Sequence, residues 1–182
     1  MPADLKKYIR SIRDFPIKGI MFRDITTLLK DPIAVKETLS QLLSFTGGQT
    51  IDKVVGVESR GFIFGAMLAN ELKAGFVPVR KPGKLPAEKE SQTYQLEYGL
   101  DKIEIHKDAI QPGDKILIHD DLLATGGTAE ATCKLVEKLG GEVVQISFII
   151  ELSFLNGREK LRKYRINSLV IYDDENYGDL SI

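Results

Sequence analysis

The fold of this chain turns on ILIHDDLLATGGT, Ile116 to Thr128. The stretch opens as an apolar run, the pattern of a buried strand, and then sets two carboxylates side by side at Asp120 and Asp121. Two leucines follow, and then Ala124, Thr125, Gly126, Gly127 and Thr128. Adjacent acids repel, and a glycine pair gives up helix propensity just where a helix begins. A ligand that meets both features would offset both costs. Glycines between a strand and a helix let backbone N–H groups converge on an anion, and the helix N-terminus adds its dipole and free donors. The hydroxyls of Thr125 and Thr128 add hydrogen bonds, so a phosphate monoester fits. A tight turn with a threonine N-cap explains the glycines alone equally well. This is not a P-loop, because no lysine follows the glycines at the required spacing. The acids shift the balance. A ribose 5-phosphate would seat its phosphate in the turn and its hydroxyls on the carboxylates, and magnesium commonly arrives with substrate phosphates.

On either side of this stretch, strands and helices alternate. Leu5, Ile9 and Ile12 recur at a helical period, which predicts a short amphipathic helix over residues 3–14. Pro16 and Gly19 break the chain before IMFRDITTLLKDP, and Ala34 to Phe45 reads as a helix closed by Gly47 and Gly48. KVVGV, Lys53 to Val57, is a short strand that stops at Glu58-Ser59-Arg60-Gly61. A buried helix follows from Gly61, and then the strand GFVPVR, in which Pro78 favours an edge. Residues Lys81 to Gln95 carry prolines, a glycine and lysines with almost nothing to bury, so they read as a long mobile loop. YQLEYG and KIEIH flank a turn near Gly99 and suggest a hairpin at its base. A helix from about Thr128 to Leu139 ends at Gly140 and Gly141, and VVQISFIIEL and NSLVIY supply the last strands. This alternation implies an α/β fold, a central mostly parallel sheet flanked by helices. Ligands in such sheets bind beyond the carboxyl ends of the strands. Glu58 to Gly61 and Asp120-Asp121 stand at two such ends.

Composition narrows the classes. A formal net charge of −1 offers no global field for nucleic acid or an anionic membrane, so an anionic ligand needs local groups. The single cysteine, Cys133, cannot form an internal disulfide and is compatible with a reducing cytoplasm. No apolar stretch approaches the roughly 18 residues that span a bilayer, and the charged N-terminus lacks a secretory apolar core. A soluble, cytoplasmic protein of one domain, residues 1–182, is expected.

Four mostly apolar residues, two acids, two leucines and Ala-Thr-Gly-Gly-Thr resemble the phosphoribosyl pyrophosphate motif of type I phosphoribosyltransferases. FRDIT at Phe22 to Thr26, ESRGFIFG at Glu58 to Gly65, RKPGKLP at Arg80 to Pro86 and YQLEYG at Tyr94 to Gly99 resemble the adenine phosphoribosyltransferases, in order and in spacing. The resemblance implies the type I phosphoribosyltransferase fold, with an N-terminal helix and base-binding hood over 1–33 and a mobile catalytic loop over 81–97. It also implies transfer of a ribosyl 5-phosphate from phosphoribosyl pyrophosphate to N9 of adenine, with magnesium, in a homodimer.

Carried over residue by residue, Ala124, Thr125, Gly126, Gly127 and Thr128 would hold the 5-phosphate. Asp120 and Asp121 would bind the ribose hydroxyls or act through the magnesium shell. Ser59, Arg60 and Gly61 would form the pyrophosphate loop, where the family often has a non-proline cis peptide before the serine. Arg80, Lys81 and Lys84 would add cations for pyrophosphate, although Pro82 replaces a basic residue that some relatives carry. Met21, Phe22 and Arg23 would form the hood, with Phe22 stacked on adenine and Leu122 or Leu123 opposite. Glu97, at the base of the mobile loop, would be the catalytic carboxylate, Arg60 would also be catalytic, and Tyr98 would assist loop closure. His119 stands where the motif usually has an apolar residue and reads as a packed strand-end side chain. Cys133 reads as core, and the tail DDENYGDLSI reads as an extension without a site. Two rivals differ in chemistry. A 6-oxopurine enzyme would call for a lysine close behind the phosphate turn. A purine-responsive regulator would call for a DNA-binding domain with a basic recognition helix. Neither feature is present in this sequence.

Overall fold

The structure is a computed structural model that describes residues 4–95 and 99–175. A 3-10 turn, Leu5–Tyr8, leads into β1 (Arg10–Arg13), which pairs antiparallel with β2 (Met21–Asp24). The expected N-terminal helix is therefore a single turn followed by a hairpin strand. Ile9 already adopts extended dihedrals, φ −101° and ψ 120°. Pairing with β2 wins over the helical spacing, helped by the Arg10–Asp24 ion pair across the hairpin and by Arg23 donating to the Ser11 hydroxyl.

After α1 (Thr26–Leu29), α2 (Pro32–Ser44) begins with proline in its first turn, and the Asp31 carboxylate accepts from the N–H groups of Ile33 and Ala34 at 2.9 and 3.0 Å. Asp31→Ala is expected to lower stability by about 1 kcal/mol in denaturant titration, the usual effect of losing such a cap.

The central sheet has the order β4 (Gly75–Val79), β3 (Lys53–Val57), β7 (Lys115–Leu123), β8 (Glu142–Leu152), β9 (Ile166–Tyr172), and all its pairings are parallel. Pro78 lies on β4, at an edge of this sheet, as a residue without an N–H requires. Alternation along β7 divides the core. Ile116 and Ile118 join one cluster, under α4 (Gly127–Lys138) with Ala131, Cys133 and Leu135. Leu117 joins the other, under α3 (Gly61–Leu72) and α2 with Phe64, Leu68 and Leu42. Cys133 is core, and burial pushes its thiol up to about 12.

Residues Lys81 to Gln95 are not one long loop. Lys89–Gln95 form β5, paired antiparallel over its full length with β6 (Leu100–His106). Of β5 only Tyr94 is buried, so its sequence shows no apolar face. Ile103 and Ile105 of β6 supply the buried contacts.

Strand order reverses between β3 and β7. One crossover from β3 leads outward to β4, and the chain beyond β7 proceeds the opposite way to β8 and β9. The carboxyl ends of β3 and β7 therefore lie side by side at a topological switch point, where such sheets bind ligands.

Candidate active site

At the end of β3 the Glu58-Ser59 peptide is cis, as the resemblance implied. Arg60 and Gly61 then open α3 against β7. A Cβ on Gly61 would stand 2.9 Å from the His119 carbonyl oxygen and 3.0 Å from an Asp120 carboxylate oxygen. Glycine is thus required by close approach, and its absence of side chain brings Arg60 to the acids. Arg60 Nε lies 2.7 Å from Asp121 Oδ2, and its guanidinium sits over the Phe22 ring at 5.1 Å from the centroid. One side chain thus connects the turn after β3, the acid pair and the N-terminal hairpin.

The acid pair lies inside β7, which runs on to Leu123, and not beyond its end. Burial raises the pKa of Asp120 well above the ordinary carboxylate range, and the charge of Asp121 adds to the rise. Asp121 is also raised by burial, against the pull of Arg60. Asp121 Oδ2 is held by the Arg60 guanidinium through this ion pair. His119, one residue earlier, is fully buried, with Nδ1 3.0 Å from the Ser147 hydroxyl and its ring 6.4 Å from Phe64. Burial lowers its pKa to about 3, so it stays neutral and belongs to the packing of the sheet.

Beyond Leu123 the chain turns through Ala124 to Gly126. Gly126 has φ +79°, a left-handed conformation that glycine adopts without strain, and α4 starts at Gly127. A small cavity of about 70 Å³ runs along Asp120 and the turn from Ala124 to Thr128. It shares Leu122, Ala124 and Thr125 with a larger cavity of about 670 Å³. Met21, Phe22 and Arg23 form one wall of the larger space, and Leu152, Phe154 and Leu155 form another. Leu122 faces this space, whereas Leu123 is buried in the core. The Arg23 side chain is buried, with its guanidinium 4.0 Å above the Tyr172 ring and a 3.0 Å bond to the Glu175 carbonyl.

The other expected cations lie around Glu58. Its carboxylate accepts from Arg80 Nε at 3.2 Å and from the Lys81 N–H at 2.7 Å. Burial pushes the Glu58 pKa up, but these donors outweigh it and hold the carboxyl below its usual value. The Lys81 ammonium is ion-paired with Asp101 of the β5–β6 hairpin. Lys84 and Ser59 are exposed. Glu97 and Tyr98 lie outside the described residues.

Several residues at the site have no signal in the motifs. Phe154 and Leu155 reach it because a 3-10 turn, Ser153–Leu155, follows β8. Glu175, in the tail read as having no site, lines the larger cavity. Gly157 touches the glycine turn itself. No motif in the local sequence marks any of these.

Comparison with known proteins places the chain in a family. Residues 24–176 match the Phosphoribosyl transferase domain family. The adenine phosphoribosyltransferase of Flavobacterium johnsoniae is 59% identical over 92% of this chain and 99% of its own length. The crystal structure of adenine phosphoribosyltransferase from Thermoanaerobacter pseudethanolicus is 54% identical, with a TM-score of 0.91 over 93% of this chain and 98% of that one. The Saccharomyces cerevisiae enzyme of the same name, complexed with adenine and an imino-altritol bisphosphate, is 42% identical, with a TM-score of 0.86 over 91% of this chain and 96% of that one. On these matches, this chain belongs to the phosphoribosyltransferase family, among the adenine phosphoribosyltransferases.

Proposed function

We propose that this chain transfers the ribosyl 5-phosphate of phosphoribosyl pyrophosphate to N9 of adenine, giving AMP and pyrophosphate. The observation that carries the reading is the meeting of two cavities at Leu122, Ala124 and Thr125. One is broad and walled by the hood hairpin, and suits a planar base. The other is narrow and follows a glycine turn at a helix N-terminus, and suits a phosphate. Asp120, which lines the narrow cavity, and the buried Asp121 beside it meet the sugar.

As the C1–pyrophosphate bond breaks, the ribose becomes oxocarbenium-like, so catalysis is mainly positioning and electrostatics. The turn from Ala124 to Thr128 holds the 5-phosphate, and Asp120 and Asp121 accept from the ribose hydroxyls. Ser59, Arg60 and Gly61, with Arg80, Lys81 and Lys84, receive the pyrophosphate. Lys81 must exchange Asp101 for the substrate to take part. Phe22 and Leu122 take the two faces of adenine, while the backbone of Met21 to Arg23 reads its edge. The packing of the Arg23 guanidinium on Tyr172 leaves it a holder of the hood and not a contact to the base.

Among the described residues, no three His, Cys, Asp or Glu side chains gather into a metal cage. The donors at hand are hard carboxylate oxygens, so Asp120 or Asp121 would be the residues to hold a magnesium ion brought by substrate phosphates. When bound there, magnesium neutralises charge on the diphosphate. The family resemblance supports a cytoplasmic homodimer, with the whole chain as one domain. No helix among the described residues is long and apolar enough to cross a membrane.

The test is direct. Purified protein with phosphoribosyl pyrophosphate and magnesium is offered adenine, hypoxanthine, guanine, xanthine and orotate in turn, and the nucleotides are separated chromatographically. AMP from adenine alone is expected, and IMP or GMP as the main product would sink the hood assignment. Glu97→Ala is expected to lower kcat by ~10²-fold or more, the usual scale of general acid–base help, with little change in the KM of either substrate. An unchanged kcat would remove Glu97 from the mechanism.

A further inference from the structure

A 3-10 segment, Gly157–Leu161, packs against the glycine turn backbone to backbone. A Cβ on Gly157 would stand 2.2 Å from the Ala124 carbonyl oxygen and 3.1 Å from the Gly126 nitrogen. From the other side, a Cβ on Gly126 would stand 2.5 Å from the Gly157 carbonyl oxygen. Both are far inside van der Waals contact. The conformation of Ala124 to Gly126 thus depends on where Gly157 sits.

The position of Gly157 is set by its neighbour. Arg158 grips Glu151 with two parallel bonds, Nε to Oε1 at 2.6 Å and Nη2 to Oε2 at 2.7 Å. The same carboxylate accepts from the Ser168 hydroxyl at 2.6 Å. Glu151 is almost wholly buried at the end of β8 and pairs across the sheet with Leu123, the residue before Ala124. Burial pushes its pKa up, and the Arg158 and Ser168 donors more than reverse the push, so the carboxylate stays ionised and the fork stays closed. Charge-assisted bidentate pairs of this kind fix geometry as well as adding attraction. The fork therefore ties the 3-10 segment to the sheet at the level where the turn leaves it.

We infer that the Glu151–Arg158 fork is a positioning device for the 5-phosphate turn, holding Gly157 against Ala124 and Gly126 so that the turn's N–H groups keep the spacing an anion needs. The inference rests on reading that turn as the phosphate site. Neither residue touches the substrate; both act through Gly157.

Binding of ribose 5-phosphate, measured by calorimetry on the full chain, tests it without requiring turnover. Arg158→Gln and Gly157→Ala are each expected to weaken ribose 5-phosphate by ~10-fold or more, and to raise the KM for phosphoribosyl pyrophosphate in step, while the adenine KM and kcat stay within about threefold. Arg158→Lys, which keeps the charge but loses the fork, is expected to recover part of the loss. A purely structural fork would lower Tm without this split. Wild-type ribose 5-phosphate affinity in both variants would overturn the inference, as would equal losses for both substrates. If Arg158→Gln does not fold, Gly157→Ala decides alone by the same readout. A wild-type protein that binds ribose 5-phosphate but makes no AMP would sink the proposed reaction, and the variants' binding would still decide the inference. A wild-type protein that does not bind ribose 5-phosphate would overturn the inference itself.

Discussion

Gly126→Ala is expected to reduce kcat/KM for phosphoribosyl pyrophosphate by ~10²-fold or more, the scale of an ångström-level misplacement at a reacting group. Two independent penalties converge on this one position. Its φ of +79° is left-handed, and an L side chain there costs about 1–2 kcal/mol. The added methyl would also stand 2.5 Å from the Gly157 carbonyl oxygen, a backbone atom that cannot rotate away. The turn must open or the 3-10 segment must retreat, and either change would spoil the convergence of N–H groups that the proposed phosphate site needs. Gly127→Ala is the comparison. Gly127 lies within α4 with ordinary dihedrals, and its Cβ would meet the Gln95 carbonyl at 3.1 Å and the Tyr94 ring at 3.3 Å. Both neighbours belong to the β5–β6 hairpin, which can shift by a few tenths of an ångström, so a smaller loss is expected. Steady-state kinetics on the two variants would check the order, and an ordinary KM in Gly126→Ala would refute the assignment of the turn.

Asp120→Asn is expected to stabilise the free protein while disabling it. The raised pKa values of Asp120 and Asp121 fix the sign. Groups whose folded pKa exceeds the unfolded value contribute stability that is present below the ordinary carboxylate range and is lost as pH rises through the raised values. As pH rises through those raised values the pair ionises, and the free protein then carries its repulsion, relieved only in part by Arg60. Asparagine has nearly the same shape and can still accept from the Asp121 N–H, which Asp120 Oδ1 meets at 2.8 Å, but it brings no charge. A rise in Tm of roughly 2–4 °C, equivalent to about 1 kcal/mol, is expected once pH has risen through those values. The difference from wild type should vanish as pH falls into the ordinary carboxylate range. Activity should fall by ~10²-fold, the scale of losing one preorganised electrostatic contact. Phosphoribosyl pyrophosphate with magnesium should raise the wild-type Tm more than that of the variant, because binding relieves the repulsion only where it exists. A variant with unchanged Tm at every pH would show that the pair carries no strain, and the argument from its repulsion would fall.

Much of this was legible along the chain, and the reason is local. Strand periodicity, helix length, the glycine pair and the adjacent acids are properties of neighbouring residues. Chain physics acts on them before any long-range contact forms. From Ile116 to Thr128 the strand, the turn and the helix start could all be read, together with the conflict that called for an anionic sugar. The edge position of Pro78 and the core position of Cys133 were readable in the same way.

What escaped the sequence depends on partners distant along the chain. Ile9 and Ile12 follow a helical period, yet residues 10–13 form a strand because β2 lies beside them and Asp24 takes Arg10. Lys89 to Gln95 look like loop because their apolar support sits in Ile103 and Ile105 of the paired strand. The acids fall inside β7 and not past it because β8 continues alongside as far as Glu151. Gly157 shows nothing by itself, with no unusual φ and no motif around it. It is needed because Ala124 and Gly126 approach it, and that approach is set by a carboxylate on β8 gripping the next residue. Local sequence specifies periodicity and turn chemistry. Which backbone may touch which, and which charge is shared, follows only once the strands are stacked in order.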